Sequence, residues 1–198
     1  MVLRVLMTSV LLIQLASLAA QTKSAHPPVV DLPRAHGTSL AAVSRIPSPN
    51  GKWTLIFECP NDCSERKLWI EEKALHTRKL VKEYDRSLSI SWAPDSGLFF
   101  VNDASGSTET LCYLYEPSTL KETDLAKVIL AGDPDAAKFL NAGHSYLNAK
   151  RWVNSRELLI VLYGHFDEPP LGGFTLQYRV ALEGNVHKIS QLAREKPE

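Results

Sequence analysis

One stretch, Trp92–Asp103, constrains the fold of this chain more than any other. It reads as the end of a strand, a tight Pro-Asp-Ser-Gly turn, and a second strand rich in large apolar residues. The segment Trp152–Val161 aligns with Trp92–Val101 without a gap, 60 positions later, and Pro49 aligns with Pro94 from 45 positions earlier. A strand–turn–strand unit that recurs in this way predicts a repeat architecture.

Each copy continues with a loop, a strand that carries an aromatic residue (Trp69, Tyr113 or Tyr178), a turn and a further short strand. Alternating apolar and polar residues, as in Ser87–Trp92, are typical of strands with one buried face. Four strands in about 45 residues is the period of a propeller blade. The tryptophans of the repeat are therefore expected to pack in the core.

The longer spacing before the third copy predicts a helical insertion at 123–142. Thr123 or Asp124 can cap a first helix that stops at Gly132, and Pro134 stands in the first turn of a second short helix. The apolar face of the first helix is expected to pack on the sheet edge, and a partner-binding face is the alternative.

The turns Ser48–Trp53 and Trp92–Gly97 resemble the "S-P-D-G/S-K" turn of WD40-like repeats of the TolB type, which occur in exported bacterial β-propellers. The resemblance covers residues 47–190, and in the third copy Asn154-Ser155 replaces Pro-Asp. It implies a fold and no activity, because the family includes scaffolds, partner-binding domains and accessory domains of enzymes. The expected class is all-β, mainly antiparallel: an incomplete or distorted propeller-like array with a short helical insertion.

Three copies fall short of the four to eight blades that usually close a propeller. Three arrangements follow from this count. A fourth blade can form from the arm at 25–46 and the C-terminus, two chains can combine into a ring, or the repeats can form an open twisted sheet that the helices help to cover. Open edges invite pairing with another chain, so a homo-oligomer is one expectation.

The N-terminus has the pattern of a cleaved secretory signal peptide. Arg4 precedes the mostly apolar run Val5–Leu18, and Ser17 and Ala19 are small residues at the positions that a signal peptidase requires. An uncleaved anchor is the alternative, but the run is shorter than the roughly 20 residues that a membrane span needs. We expect a secreted or periplasmic protein with no membrane-spanning segment.

The predicted organisation has four parts: a signal peptide at 1–20, an extended Pro-containing arm at 21–46, the propeller-like domain at 47–190 and a charged tail at 191–198. Pro27, Pro28 and Pro33 disfavour helix in the arm, which is either a tether or a segment lying on the domain.

Charge and cysteine content exclude some functions and leave others open. The chain has 22 basic and 22 acidic residues and no basic cluster, so nucleic-acid binding is not expected. Cys59 and Cys63 can close a small disulfide loop, which suits an oxidising compartment. Cys112 is then unpaired, and is either buried in a strand or paired between chains. No cofactor and no metal centre are predicted.

The loop at 164–173 is the best candidate binding site. His165, Asp167 and Glu168 offer an imidazole and two carboxylates, which suit acid–base chemistry or ligand binding. His144 would join them as a His/His/Asp group if its strand pairs with the strand before the loop, although the spacing does not require this. A merely solvated loop is the alternative. Asp95, Asn102 and Asp103 are interpreted as turn formers.

The leading hypothesis is an exported, non-enzymatic propeller-like protein that binds another protein or a cell-envelope component. It depends on the signal peptide, the repeat and the lack of a recognisable catalytic motif. One alternative is a small secreted hydrolase or metal-dependent enzyme that uses the 164–173 loop. The other is a structural subunit that self-associates through its open edges.

Overall fold

The computed structural model describes residues 26–32, 44–59, 65–167 and 172–183, and the backbone of a further strand at 185–193. Its strands form three successive four-stranded antiparallel meanders, named here blades 1, 2 and 3. This architecture is an incomplete propeller-like array, so the predicted all-β fold class is confirmed. The predicted signal peptide lies outside the described residues, residues 191–193 of the predicted charged tail belong to the last strand, and the domain boundaries stay predictions.

The three blades follow one another along the chain. Blade 1 contains β2 (Ser44–Pro47), β3 (Trp53–Glu58), β4 (Lys67–Glu72) and β5 (Thr77–Glu83). Blade 2 contains β6 (Ser87–Trp92), β7 (Phe99–Ala104), β8 (Glu109–Tyr115) and β9 (Glu122–Asp124). Blade 3 contains β10 (His144–Asn154), β11 (Glu157–Phe166), β12 (Gly172–Ala181) and β13 (Asn185–Ala193).

The turns of the first two blades confirm the 45-residue repeat. In blade 1 the Ser48 amide donates to the Trp53 carbonyl at 2.9 Å. In blade 2 the Ala93 amide donates to the Leu98 carbonyl at 2.8 Å, 45 positions later at both ends. Residue Gly51 has φ +69°, and its equivalent has φ +64°. The equivalent residue is Ser96, so the turn keeps its left-handed backbone conformation although glycine is replaced by serine.

Indole hydrogen bonds connect each blade to the one before it. The Trp92 Nε1–H donates to the Ile46 carbonyl at 3.2 Å, and the Trp152 Nε1–H donates to the Ser91 carbonyl at 3.3 Å. The two tryptophans are 60 positions apart and the two acceptors are 45 positions apart, as the sequence alignment requires. The tryptophans therefore occupy equivalent positions, and each joins its own blade to the inner strand of the preceding blade.

Both faces of blade 2 are buried, which gives two separate cores. The core between blades 1 and 2 is built mainly from Trp53, Leu55, Phe57, Leu68, Ile70, Leu88, Ile90, Trp92, Phe99 and Val101. The core between blades 2 and 3 is built mainly from Phe100, Leu114, Leu147, Trp152, Leu158, Ile160, Leu162, Leu176 and Tyr178. The expected core role of the tryptophans is confirmed for Trp53, Trp92 and Trp152, whereas Trp69 lies on the opposite face of blade 1, partly exposed.

The helical segment lies between β9 and β10. It contains α1 (Leu125–Gly132), a 3-10 turn (Pro134–Ala136) and α2 (Ala137–Leu140). Asp124 Oδ1 accepts the Ala126 amide at 2.9 Å, so Asp124 is the cap. The apolar face of α1 packs in the core between blades 2 and 3. No helix in the described part of the chain is long and apolar enough to cross a lipid bilayer.

The described part of the arm lies on the domain. β1 (Val30–Asp31) pairs with β6, and Leu32 is buried against blades 1 and 2. Among the described strands, β13 pairs with β12 and not with the arm. The alternative of a fourth blade built from the arm and the C-terminus therefore does not hold for residues 26–32, because their backbone hydrogen bonds are made with blade 2.

Two residues interpreted as turn formers are buried in the middle blade. Asn102 and Asp103 lie in β7, where Asn102 bonds the backbone of Ala149 and Asp103 forms an ion pair with Lys82 of blade 1. The interpretation fails because both side chains bond partners that are distant in sequence. Asp95 does form its turn, since its Oδ1 accepts the Gly97 amide at 2.9 Å.

Cys112 is a free thiol buried in β8 between blades 2 and 3, so the intermolecular pairing considered from the sequence is excluded by its position. Burial raises the pKa of the thiol to about 12. Cys59 is also buried, whereas Cys63 lies outside the described residues, and the predicted disulfide between them stays a prediction.

We expect iodoacetamide at pH 8 to leave Cys112 unmodified in the folded protein, because alkylation requires an exposed thiolate. In guanidinium chloride at about 6 M, which unfolds the chain, the same thiol should be fully alkylated. Peptide mass spectrometry separates Cys112 from the other two cysteines. Modification of the folded protein as fast as that of the unfolded chain would contradict this burial.

Candidate functional site

Two histidines meet on the outward face of blade 3. β10 and β11 pair in an antiparallel register that places His144 directly opposite His165. Their rings are stacked, with centroids 4.0 Å apart and planes 18° apart. The sequence predicted this meeting only on the condition that the two strands pair, and the structure meets that condition.

A carboxylate completes the group just after β11. Asp167 Oδ1 lies 3.7 Å from His144 Nε2 and 3.6 Å from His165 Nε2. One ligand atom from each residue falls within 4.8 Å of the other two, and we call these three residues the His–His–Asp cluster. The side chains of His165 and Asp167 are about half exposed, so solvent reaches the cluster. The fourth predicted residue, Glu168, lies outside the described residues.

Two glycines make the approach possible. A Cβ atom at Gly164 would overlap the backbone carbonyl of His144, and a Cβ atom at Gly143 would overlap the carboxylate of Asp167. The backbone clash cannot be relieved by a rotamer change, whereas the carboxylate can swing aside. The sequence pattern assigns no site role to Gly143 and marks Gly164 only as the start of the 164–173 loop, since nothing local reveals a cross-strand neighbour.

A tyrosine fixes the tautomer of one histidine. The Tyr146 hydroxyl donates to the Ser107 carbonyl at 2.8 Å and lies 3.1 Å from His144 Nδ1. A carbonyl oxygen only accepts, so the single hydroxyl hydrogen is already used and Nδ1 must donate to the hydroxyl oxygen. In neutral His144 the free lone pair is then on Nε2, the atom that faces Asp167.

Sequence reasoning missed Tyr146. A usable signal was present, because residues i and i+2 of a strand share one face and Tyr146 follows His144 at that spacing. The carbonyl that accepts the Tyr146 hydroxyl hydrogen belongs to Ser107, which lies in the loop before β8, 39 positions away in the sequence. That part of the arrangement is not visible in a local pattern.

The cluster borders a larger surface that we call the blade 3 outer face. Its central residues are Tyr146, Asn148, Leu159, Val161, Tyr163 and Gln177. The Tyr146 and Tyr163 rings stack with centroids 5.1 Å apart, and Tyr163 is 39% exposed. Together with the stacked histidines, the two tyrosines form a continuous ladder of four rings across β10 and β11.

The outward face of blade 1 has a different chemistry. Arg78 lies 2.8 Å from Glu58 and 3.6 Å from Glu71, and Arg45 reaches Glu71 at 3.8 Å. The fully buried Ile56 lies on this face with Arg45 and Trp69 as its cross-strand neighbours.

The two outward faces of the array therefore differ in degree. Ion pairs cross the blade 1 face beside Trp69 and Leu80. The blade 3 outer face, in contrast, is aromatic at its centre, with the Lys150 ammonium 5.6 Å from the Tyr163 ring and the Arg179–Glu157 ion pair at one end.

Comparisons with known proteins found no matching family model and no matching curated protein sequence. Among solved structures, the chain is similar to the β-propeller domain of the trilobed protease from Pyrococcus furiosus, with 14% identity and a TM-score of 0.48, over 76% of this chain and 43% of that one. It is similar to oligogalacturonate lyase from Vibrio parahaemolyticus, with 11% identity and a TM-score of 0.46, over 84% and 47%. It is also similar to TolB from Acinetobacter baumannii, with 12% identity and a TM-score of 0.36, over 83% of this chain and 46% of that one. The chain thus spans less than half the length of each of these three.

Proposed function

We propose that this chain is an exported propeller-like binding protein, and that the blade 3 outer face is the surface through which it binds another protein. The observation that carries the proposal is the composition of β11. Leu158, Ile160 and Leu162 are fully buried against blade 2, while the alternate residues of the strand face outward. Those alternate residues include Leu159 and Val161, so the strand is apolar on both faces.

A strand that is apolar on both faces is typical of a sheet covered on both sides. In the described structure only one side of β11 is covered. The exposed side also offers the stacked Tyr146 and Tyr163, and tyrosine is enriched in protein interfaces, whereas lysine and glutamate are depleted there. The outward face of blade 1 also carries Trp69 and Leu80, but ion pairs of Arg78 with Glu58 and Glu71 lie beside them. This more charged face suits contact with water, as terminal faces of stacked repeats do.

Export is the second part of the proposal. It is supported by the signal-peptide pattern of residues 1–20 and by the pair Cys59 and Cys63, which suits an oxidising compartment. The partner is accordingly a protein of the cell envelope or of the medium. The alternative of a secreted hydrolase stays a prediction that the binding role does not require.

Site-specific photo-crosslinking tests the binding surface with a matched control. A benzophenone amino acid replaces Tyr163, which is 39% exposed, or Leu80 on the outward face of blade 1, which is 40% exposed. In cells of the native host we expect an adduct with another protein from position 163 and none from position 80. Equal adducts from both positions, or none from either, would contradict the proposal.

The same two variants, purified and irradiated at high concentration, distinguish a partner protein from a second copy. If position 163 crosslinks the chain only to itself, the self-associating subunit replaces the proposed function. Fractionation of the host cells checks export, which predicts a mature chain outside the cytoplasm that is about 20 residues shorter than the precursor.

A further inference from the structure

We propose that the His–His–Asp cluster binds a divalent transition-metal ion of the zinc class. The proposal does not depend on the binding role of the blade 3 outer face. It is carried by three observations: the convergence of three ligand atoms, the tautomer that Tyr146 imposes on His144, and the two glycine positions that let the strands and the carboxylate approach.

The separations suit an ion better than they suit direct hydrogen bonds. Distances of 3.6 and 3.7 Å between Asp167 Oδ1 and the two Nε2 atoms exceed the normal hydrogen-bond range. Ligands at 2.0–2.1 Å from a tetrahedral zinc ion are about 3.4 Å from one another. Both separations from Asp167 are therefore within a few tenths of an ångström of the spacing between two zinc ligands, and the ligand atoms of all three residues lie within 4.8 Å of one another.

A lone pair on His144 is also available to an ion. Because an imidazole lone pair lies in the plane of its ring, an ion bound by both histidines requires the two rings, now stacked with planes 18° apart, to rotate out of the stack. Because the Tyr146 hydroxyl is committed to the Ser107 carbonyl, neutral His144 presents an unprotonated Nε2 to the centre of the cluster. An imidazole that donates its other N–H to a fixed acceptor is the usual condition of a metal-bound histidine. Tyr146 is accordingly a positioning residue for the ion and not a ligand.

The donor set determines the class of ion. Two imidazole nitrogens and one carboxylate suit Zn²⁺, Cu²⁺ or Ni²⁺, whereas Ca²⁺ and Mg²⁺ prefer sets made of oxygen. Three protein ligands leave a fourth tetrahedral position for water or for a donor from a partner. The exposure of His165 and Asp167 keeps that position accessible.

Isothermal titration of the untagged, chelator-treated chain with zinc chloride tests the site. We expect one ion per chain, more than about 100-fold weaker binding in His165→Ala, and no comparable heat with calcium or magnesium chloride. The control is His76→Asn, which replaces an exposed histidine outside the cluster with a residue that tolerates its φ of +51°, and it should bind zinc as the wild type does.

Two further variants test the geometry without removing a ligand. Tyr146→Phe deletes the hydroxyl that orients His144, and Gly143→Ala displaces the carboxylate of Asp167. Each should weaken zinc binding about 10-fold while the circular dichroism spectrum is unchanged. Absence of binding by the wild type, or binding that survives His165→Ala, overturns the site. Unchanged affinity in Tyr146→Phe overturns the positioning role. None of these results bears on the crosslinks from position 163.

Discussion

Replacing Trp152 by alanine should lower the free energy of unfolding by about 3–5 kcal/mol, the range measured for deletion of large buried aromatic side chains. Trp152 is fully buried in the core between blades 2 and 3, where it lies 6.0 Å from the ring of Phe100. Its indole N–H also donates to the carbonyl of Ser91 at 3.3 Å. Since small domains have about 5–15 kcal/mol in total, this single change removes a large share of the stability.

Phenylalanine variants separate packing from hydrogen bonding. Trp152→Phe keeps an aromatic ring but removes both the indole N–H that donates to the Ser91 carbonyl and part of the buried side-chain volume, so we expect a loss of about 1–3 kcal/mol. Trp69→Phe is the matched control, because the buried Nε1 of Trp69 has no hydrogen-bond partner and its removal leaves nothing unsatisfied. That variant should lose less than about 1 kcal/mol.

Guanidinium unfolding followed by circular dichroism measures both variants. If Trp152→Phe and Trp69→Phe cost the same, the interblade hydrogen bond has no net value and the tryptophan acts through volume alone. Trp92→Phe provides a second check, because its bond to the Ile46 carbonyl is the equivalent of the Trp152 bond one blade earlier. The two losses should agree within about 0.5 kcal/mol if the blades are energetically equivalent.

The repeat could be predicted because its information is local. The turn at Asp95 and the cap at Asp124 depend on residues two positions apart, and the equivalent tryptophans were recognised because the same short strand–turn–strand pattern recurs beside each of them. The sequence pattern did not show where the arm packs, because the pairing of β1 with β6 joins residues about 60 positions apart. Loop closure over such distances depends on the whole fold and leaves no periodic signal.

The candidate site was predictable in part for the same reason. Strand pairing was a reasonable hypothesis for His144 and His165, and the structure brings both to one point with Asp167. Tyr146 and the two glycines were missed, since their importance comes from atoms of other strands and loops. The polar residues of β7 were misinterpreted on similar grounds: Asn102 and Asp103 favour turns in general, and only their distant partners explain their burial.

Asn102→Ala should lower the free energy of unfolding by about 3 kcal/mol. Asn102 Nδ2 donates to the Ala149 carbonyl at 2.9 Å, and its Oδ1 accepts the Ala149 amide at 2.8 Å. β10 pairs with β8 only at Ser145 and Tyr146, so further along this side the amide of Asn102 takes the place of a strand. Alanine leaves two buried backbone groups unsatisfied, at about 1–3 kcal/mol each.

Asn102→Asp tests the same pair of bonds through pH. An ionised carboxylate would still accept the Ala149 amide, but its second oxygen would face the Ala149 carbonyl, and burial would raise the pKa of the new carboxyl above its unfolded value of about 3.9. The loss of stability should therefore be greatest above the folded-state pKa. It should shrink as pH falls through that pKa, because the protonated carboxyl can donate to the carbonyl.

Urea unfolding at pH 7 and pH 5 compares this variant with the wild type, whose amide does not titrate, and with Asn50→Asp. Asn50 is exposed, its Oδ1 accepts the Lys52 amide at 2.9 Å, and the equivalent residue in blade 2 is already aspartate, Asp95. Asn50→Asp should change stability by less than about 0.5 kcal/mol at both pH values. A pH-independent loss in Asn102→Asp would mean that the carboxylate has escaped to solvent. The bridge from β7 to β10 would then not be the contact that holds blades 2 and 3 together at this point.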